Sequence, residues 1–315
     1  MTRFMERFQI PLYLAALAVG ALAGWWAPGL GGLAAPAVTP VLAALLYVTF
    51  LGIPLRRVGE GLRDLRFMAC LVIVNFAVVP VIVFALVRAF SIEGPMLIGV
   101  LLVLLTPCID YVIVFSGLAG AANDRLLAAS PVLLVLQMLT LPLYLWSFLA
   151  SDVAVAVHWG AFAQALAVVI VIPLVAAAVT QWAAARSPVA RRWGRLAGGA
   201  MVPLMMLTLA TVVASQIALV GSRAQALLPL VPVYVSFAAL MTALGWAAGR
   251  LAGLRVRERR AVLFSGVTRN SLVVLPLALE APDGTVLAPL AVLTQTFVEL
   301  LVMLALVGLV PRLVR

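Results

Sequence analysis

The stretch LLVLLTPCIDYVIVF, Leu101–Phe115, lies within an apolar run long enough for a membrane helix, and interrupts it with Thr106, Pro107, Cys108 and Asp110. Proline donates no amide and crowds the preceding turn, so a helix passing through Pro107 strips the carbonyl near Val103 of its partner. In lipid an unsatisfied carbonyl costs several kcal/mol, and irregular backbone is tolerated only where it is buried in protein or lines a polar cavity. A break at this point therefore predicts a site.

The surrounding chain makes lipid the relevant solvent. Of 315 residues 65% are apolar and 10% charged, against about 45–50% and 25% in soluble proteins. The mean hydropathy is +1.21. The apolar segments are continuous over about 20 residues, which indicates spanning helices and not the alternating strands of a barrel. Ten spans are read at 10–28, 36–54, 66–89, 95–121, 125–150, 159–184, 196–220, 226–249, 259–280 and 287–310. The expected fold is thus an all-α integral membrane protein, one transmembrane unit over 1–315. Arg3 and Arg7 ahead of the first apolar run resemble a signal peptide, but nine spans follow and the segment is kept as a helix.

The net charge is +10 and all 21 basic residues are arginine. Nucleic acid is not indicated, because the arginines fall in short connections. One side of the predicted membrane takes Arg3, Arg7, Arg125, the 55–66, 185–195 and 250–260 loops and the C-terminal tail. The other side has Arg88 and Arg223 alone, and Arg269 stays inside a span. By the positive-inside rule both termini face the cytoplasm, across a plasma (inner) membrane. Ten spans divide into halves 1–150 and 159–310, and an odd number in each half inverts the second. The fourth span of each half is polar in its middle, TPCID in one and GVTRNS in the other. These are the two helices expected to unwind and cross.

Asp110, Arg269 and Glu299 each lie inside a predicted span, where a charge costs about 2.5–3.5 kcal/mol on insertion scales. The expectation is that Asp110 and Arg269 face one another at the crossing, with Glu299 within reach. Asn75, Gln137, Thr294, Gln295 and Thr296 could line the same site, or could equally supply hydrogen bonds that hold the bundle. Cys70 and Cys108 both fall in spans, so no disulfide framework is indicated. His158, beside Trp159, reads as interfacial. No phosphate-binding loop, metal-ligand cluster or nucleophile–base pair is present in the sequence, and no cofactor, ATPase partner or enzymatic activity is expected.

Four segments carry a resemblance: NFAVVP (Asn75–Pro80), TPCIDYVIVFSGLAG (Thr106–Gly120), TRNSLVV (Thr268–Val274) and FVELLVMLALV (Phe297–Val307). Together they resemble the arsenical-resistance-3 family of arsenite permeases, within the bile acid/sodium symporter superfamily. The resemblance implies two inverted five-helix repeats, with crossed, unwound helices 4 and 9. It implies a core of helices three to five and eight to ten beside a panel of helices one, two, six and seven. With it the candidate substrate site is Cys108, Pro107, Asn270 and Arg269 together with Asp110, which stands where that family has uncharged residues, and the supporting polar residues are Asn75, Thr106, Ser116, Thr268, Ser271 and Gln295. The chain departs from that family where an acid should follow Asn270: Leu272, Val273 and Val274 stand there, and the next acid is Glu280. Asp110, on the other crossing segment, could replace the missing carboxylate.

Arsenite at neutral pH is an uncharged trihydroxide, which calls for hydrogen-bond partners more than for a counter-charge. A thiolate is a soft ligand suited to As(III), so Cys108 is the candidate for transient contact; the plain alternative is a small residue packed at a crossing. Asp110 or Glu299 could carry a proton, or Asp110 could stay ionised beside Arg269. The reading is a secondary transporter in the lipid bilayer that exports arsenite, with antimonite as a close analogue, in exchange for protons by alternating access. One alternative is a sodium- or proton-coupled carrier of a small organic anion that uses Arg269. Another is a non-transporting sensor or scaffold on the same fold.

Overall fold

The computed structural model describes residues 8–52, 64–109, 111–149, 164, 167–279 and 287–315. Its helices are α1 (Gln9–Trp26), α2 (Pro28–Gly52), α3 (Leu65–Ala89), α4 (Gly94–Leu104), α5 (Tyr111–Leu118), α6 (Asn123–Phe148), α7 (Ile172–Ala184), α8 (Pro188–Gly199), α9 (Met201–Leu227), α10 (Leu230–Leu251), α11 (Val256–Val267), α12 (Ser271–Leu279) and α13 (Leu287–Leu313). Among the described residues α3, α6, α10 and α13 are each long and apolar enough to cross a membrane alone. The bent pair Pro188–Gly199 and Met201–Ser215, whose axes differ by 46°, makes a fifth only if its two helices count as one span. Shorter apolar helices run over Pro11–Trp26, Pro36–Gly52, Gly94–Leu104 and Ile172–Ala184. The chain is an integral membrane protein built of helices. The segments read as single spans at 95–121 and 259–280 are each two helices, α4 with α5 and α11 with α12.

The chain forms two compact units: Met1–Gly52 with Trp159–Ala224, and Ile53–His158 with Gln225–Arg315. In the first unit α2 packs against α7 and α8. Polar side chains join them: Tyr47 Oη and Thr180 Oγ1 share a hydrogen bond of 2.9 Å, Trp193 Nε1 donates to Tyr47 Oη at 2.9 Å, and Gln181 Nε2 donates to the Phe50 carbonyl at 3.0 Å. The 185–195 segment, expected as a loop, is largely the helix α8. Ser187 caps its start and Pro188 opens its first turn, two features that outweigh the helix-breaking look of the run. At 100° per residue Arg191, Arg192 and Arg195 share one side of α8, and Val189, Trp193 and Leu196 share another. All three apolar side chains are exposed, the pattern of a helix lying in a headgroup region.

The second unit holds α3–α6 and α10–α13. The spanning helix α3 contains a π turn at Val74–Val78, just ahead of Pro80. Pro80 has no amide to offer the Phe76 carbonyl four residues back, and Tyr144 Oη on α6 donates to that carbonyl at 2.5 Å. Packing is close enough in places to exclude a side chain. A Cβ on Gly99 would overlap the Ala288 carbonyl oxygen, and one on Gly245 would sit 2.9 Å from Leu263 Cα. These contacts bring α4 against α13 and α10 against α11.

Arginines read above as topology signals also tie helix ends together. Arg125 pairs with Asp64 and, at 3.1 Å, with Glu258, joining the starts of α3, α6 and α11. Arg260, on α11 and not in a loop, donates to the Ala119 carbonyl at 3.0 Å and to the Val314 carbonyl at 2.9 Å. A Gly99→Ala substitution should destabilise the protein by roughly 1–3 kcal/mol through overpacking, read as a lower thermal midpoint of the detergent-solubilised protein. An unchanged midpoint would contradict the close approach of α4 and α13.

Candidate substrate and coupling site

The two broken helices end in the same way. Thr106, just beyond α4, turns its hydroxyl back to the Leu102 carbonyl at 2.7 Å, and Thr268, just beyond α11, does the same to the Phe264 carbonyl at 2.7 Å. Each threonine thus adds a hydroxyl bond to a carbonyl of the last helical turn; that of Phe264 also accepts the Thr268 amide at 2.9 Å. Beyond them the two chains pair antiparallel, with Pro107 opposite Arg269. The Asn270 amide donates to the Thr106 carbonyl at 2.8 Å and the Cys108 amide to the Thr268 carbonyl at 3.2 Å. In this register Thr106 stands opposite Asn270 and Cys108 opposite Thr268; read in the same chain direction, Leu102–Cys108 aligns with Phe264–Asn270, threonine with threonine. Thr106, Cys108, Thr268, Arg269 and Asn270 are no more than 1% exposed.

Arg269 satisfies carbonyls that the breaks leave open. Its Nη2 lies 2.5 Å from the Ser265 carbonyl, 2.7 Å from that of Gly266 and 2.9 Å from Asn75 Oδ1. Its Nη1 lies 3.4 Å from the Leu104 carbonyl at the end of α4, and its guanidinium carbon stands 5.5 Å over the Phe237 ring. Asn75 sits inside the π turn of α3. Its Nδ2 donates to the Leu71 carbonyl at 2.9 Å and to Ser265 Oγ at 3.0 Å, which turns its oxygen toward Arg269. The bulge aims this side chain, as π turns often do at functional positions.

Glu299 on α13 meets the backbone of the ninth-span break. Its Oε2 accepts from the Arg269 amide at 2.8 Å and from Gln295 Nε2, one turn earlier on α13. Asn270 Oδ1 accepts from the Val273 amide at 3.3 Å and so caps α12. Three buried polar atoms here have no hydrogen-bond partner among the described residues: Asn270 Nδ2, Ser271 Oγ and Gln295 Oε1. Next to Glu299 and Gln295 is a cavity of about 10 Å³, walled also by Leu104, Tyr234, Phe237 and Val267. That is the lower limit for a single water molecule.

Several expected site residues have their described hydrogen bonds within their own helices. Thr294 and Thr296 turn their hydroxyls to the Leu290 and Val292 carbonyls of their own helix, at 2.8 and 3.0 Å, a common resting place for a helical threonine. Ser116 bonds the Ile113 carbonyl at 3.2 Å within α5. Gln137 is buried on α6. Asp110, Glu280 and His158 lie outside the described residues. Sequence reading passed over Ser265 and Phe237. Ser265 carried a usable signal, a small polar residue one turn before an intramembrane arginine, whereas nothing local marks Phe237.

A family model described as the sodium bile acid symporter family matches residues 39–228. That is more than half of the chain. The protein belongs to the sodium bile acid symporter family. Members of this family are membrane transporters, and the helical membrane architecture of this symporter-family protein agrees with that class. The matched range takes in the first break at Pro107 and stops short of the second at Arg269. No curated protein matches the chain.

Within this family member, Glu299 gives a direct test of the crossing. Glu299→Gln keeps an oxygen for the Arg269 amide, whereas Glu299→Leu leaves that buried donor unmatched, at about 1–3 kcal/mol. The leucine variant should therefore melt several degrees below the glutamine variant in detergent. Equal midpoints would mean that the carboxylate does not hold the unwound backbone.

Proposed function

We propose that this protein is a secondary transporter, of the arsenical-resistance-3 type within its family, that exports a small uncharged hydroxylated solute, arsenite foremost. Export runs from the cytoplasm in exchange for protons. The observation that carries the reading is the chemistry at the crossing. Cys108 lies at one break, and Asn270 Nδ2 and Ser271 Oγ at the other are buried without a partner among the described residues. A neutral trihydroxide can accept from an amide, exchange a hydrogen bond with a hydroxyl, and present arsenic to a soft sulfur. Arg269 favours this cargo over an organic anion, because its guanidinium already lies against carbonyls and Asn75.

Alternating access is supported by the division of the chain into two compact units. They gather the segments that the resemblance assigns to a panel and to a core. The second unit also contains two sets of helices with a broken member in the middle, α3, α4–α5, α6 and α10, α11–α12, α13, which is what an inverted repeat produces. Asp110 or Glu299 carries the proton in this scheme. Cys108 is buried, so cargo reaches it only when the surroundings open.

Everted vesicles bearing the protein should accumulate radiolabelled arsenite when a proton gradient is imposed. Cys108→Ser should reduce that uptake at least tenfold while the protein still reaches the membrane. Uptake equal to that of empty vesicles would refute arsenite export, and full uptake by the serine variant would remove the thiol from the site.

A further inference from the structure

We infer that the Arg269 guanidinium is a tethered cation in an oxygen cage that would otherwise take an alkali ion, so that this family member needs no exchangeable sodium at the crossing. The inference concerns the coupling ion and stands whether or not arsenite is the cargo.

Four hard oxygens of the cage are described. Three are main-chain carbonyls, of Leu104, Ser265 and Gly266, and the fourth is Asn75 Oδ1. The carbonyls come from the last turns of α4 and α11, so two helix C-termini, each with a partial negative charge, point at one place. Carbonyls from unwound half-helices are the kind of donor that holds sodium in membrane transporters. Here the position is filled by the chain itself. Arginine stays protonated under all physiological conditions, so this cation is neither lost nor exchanged.

The cage is also fixed in its orientation. Asn75 Nδ2 is committed to the Leu71 carbonyl and Ser265 Oγ, leaving the amide oxygen for the guanidinium. Arg269 itself is anchored through its amide to Glu299 and through its pairing with Pro107. A second monovalent cation would have to share these oxygens with a fixed positive charge at contact distance, which electrostatics opposes.

The test is thermal unfolding of the purified full-length protein in detergent, at matched ionic strength, in sodium, potassium, methylguanidinium or choline chloride. The wild-type midpoint should be the same in sodium, potassium and choline. Arg269→Ala should melt several degrees lower in choline, with most of the loss recovered in sodium, potassium or methylguanidinium, because the vacated oxygens then take a free cation. Arg269→Lys retains a tethered charge and should stay indifferent to sodium, which keeps the test decisive if the alanine variant does not fold. A sodium-specific rise in the wild-type midpoint, an alanine variant equally stable in all four salts, or a lysine variant stabilised by sodium would each overturn the inference. Stability is read here and not transport, so a failed arsenite assay leaves these outcomes untouched.

Discussion

Two helices stop inside the apolar bundle, and each supplies what the other lacks. The reciprocal bonds from Asn270 to Thr106 and from Cys108 to Thr268 replace the helical ladder where it has been cut. The two threonine hydroxyls and the Arg269 guanidinium take up carbonyls of the final turns, and Glu299 takes the Arg269 amide. Lipid offers no water to do this, so a break without such partners would cost several kcal/mol for every open group. The surrounding architecture serves the pairing. The π turn of α3 delivers Asn75, α13 delivers Glu299, and the bare Cα of Gly99 lets α4 lie against α13.

Much of this is written locally in the chain. Pro107 in an apolar run announces the first break, and the polar cluster Thr268–Ser271 announces the second, because lipid makes such residues costly unless they meet. The membrane class follows from composition alone. What sequence reading missed was the choice among partners. Arg269 was expected opposite Asp110, which lies outside the described residues; its described contacts also include carbonyls and the Asn75 amide, which no charge pattern marks. Glu299 was expected within reach of the crossing and is there, with its carboxylate on the Arg269 backbone amide, a partner that a count of charges does not mark. Charge counting treated Arg125 and Arg260 as signals of sidedness, yet both also bond across helix ends. The 185–195 run looked like a loop because its arginines dominate, while its cap and opening proline make it a helix.

The family and the crossing bear on transport in different ways. Membership rests on residues 39–228 and says that the chain is built to move a solute. The second break lies outside that range: its arginine bonds carbonyls at the ends of both half-helices, and no acid follows Asn270 before Glu280.

Amide hydrogen exchange, resolved at residues 108, 269 and 270, tests the paired breaks most directly. These amides lie outside any helix, yet each donates to a buried acceptor, on Thr268, Glu299 and Thr106 respectively. The account predicts that all three exchange as slowly as amides in the middle of α4 and α11. Exchange at the rate of unbonded, solvent-exposed amides would contradict it.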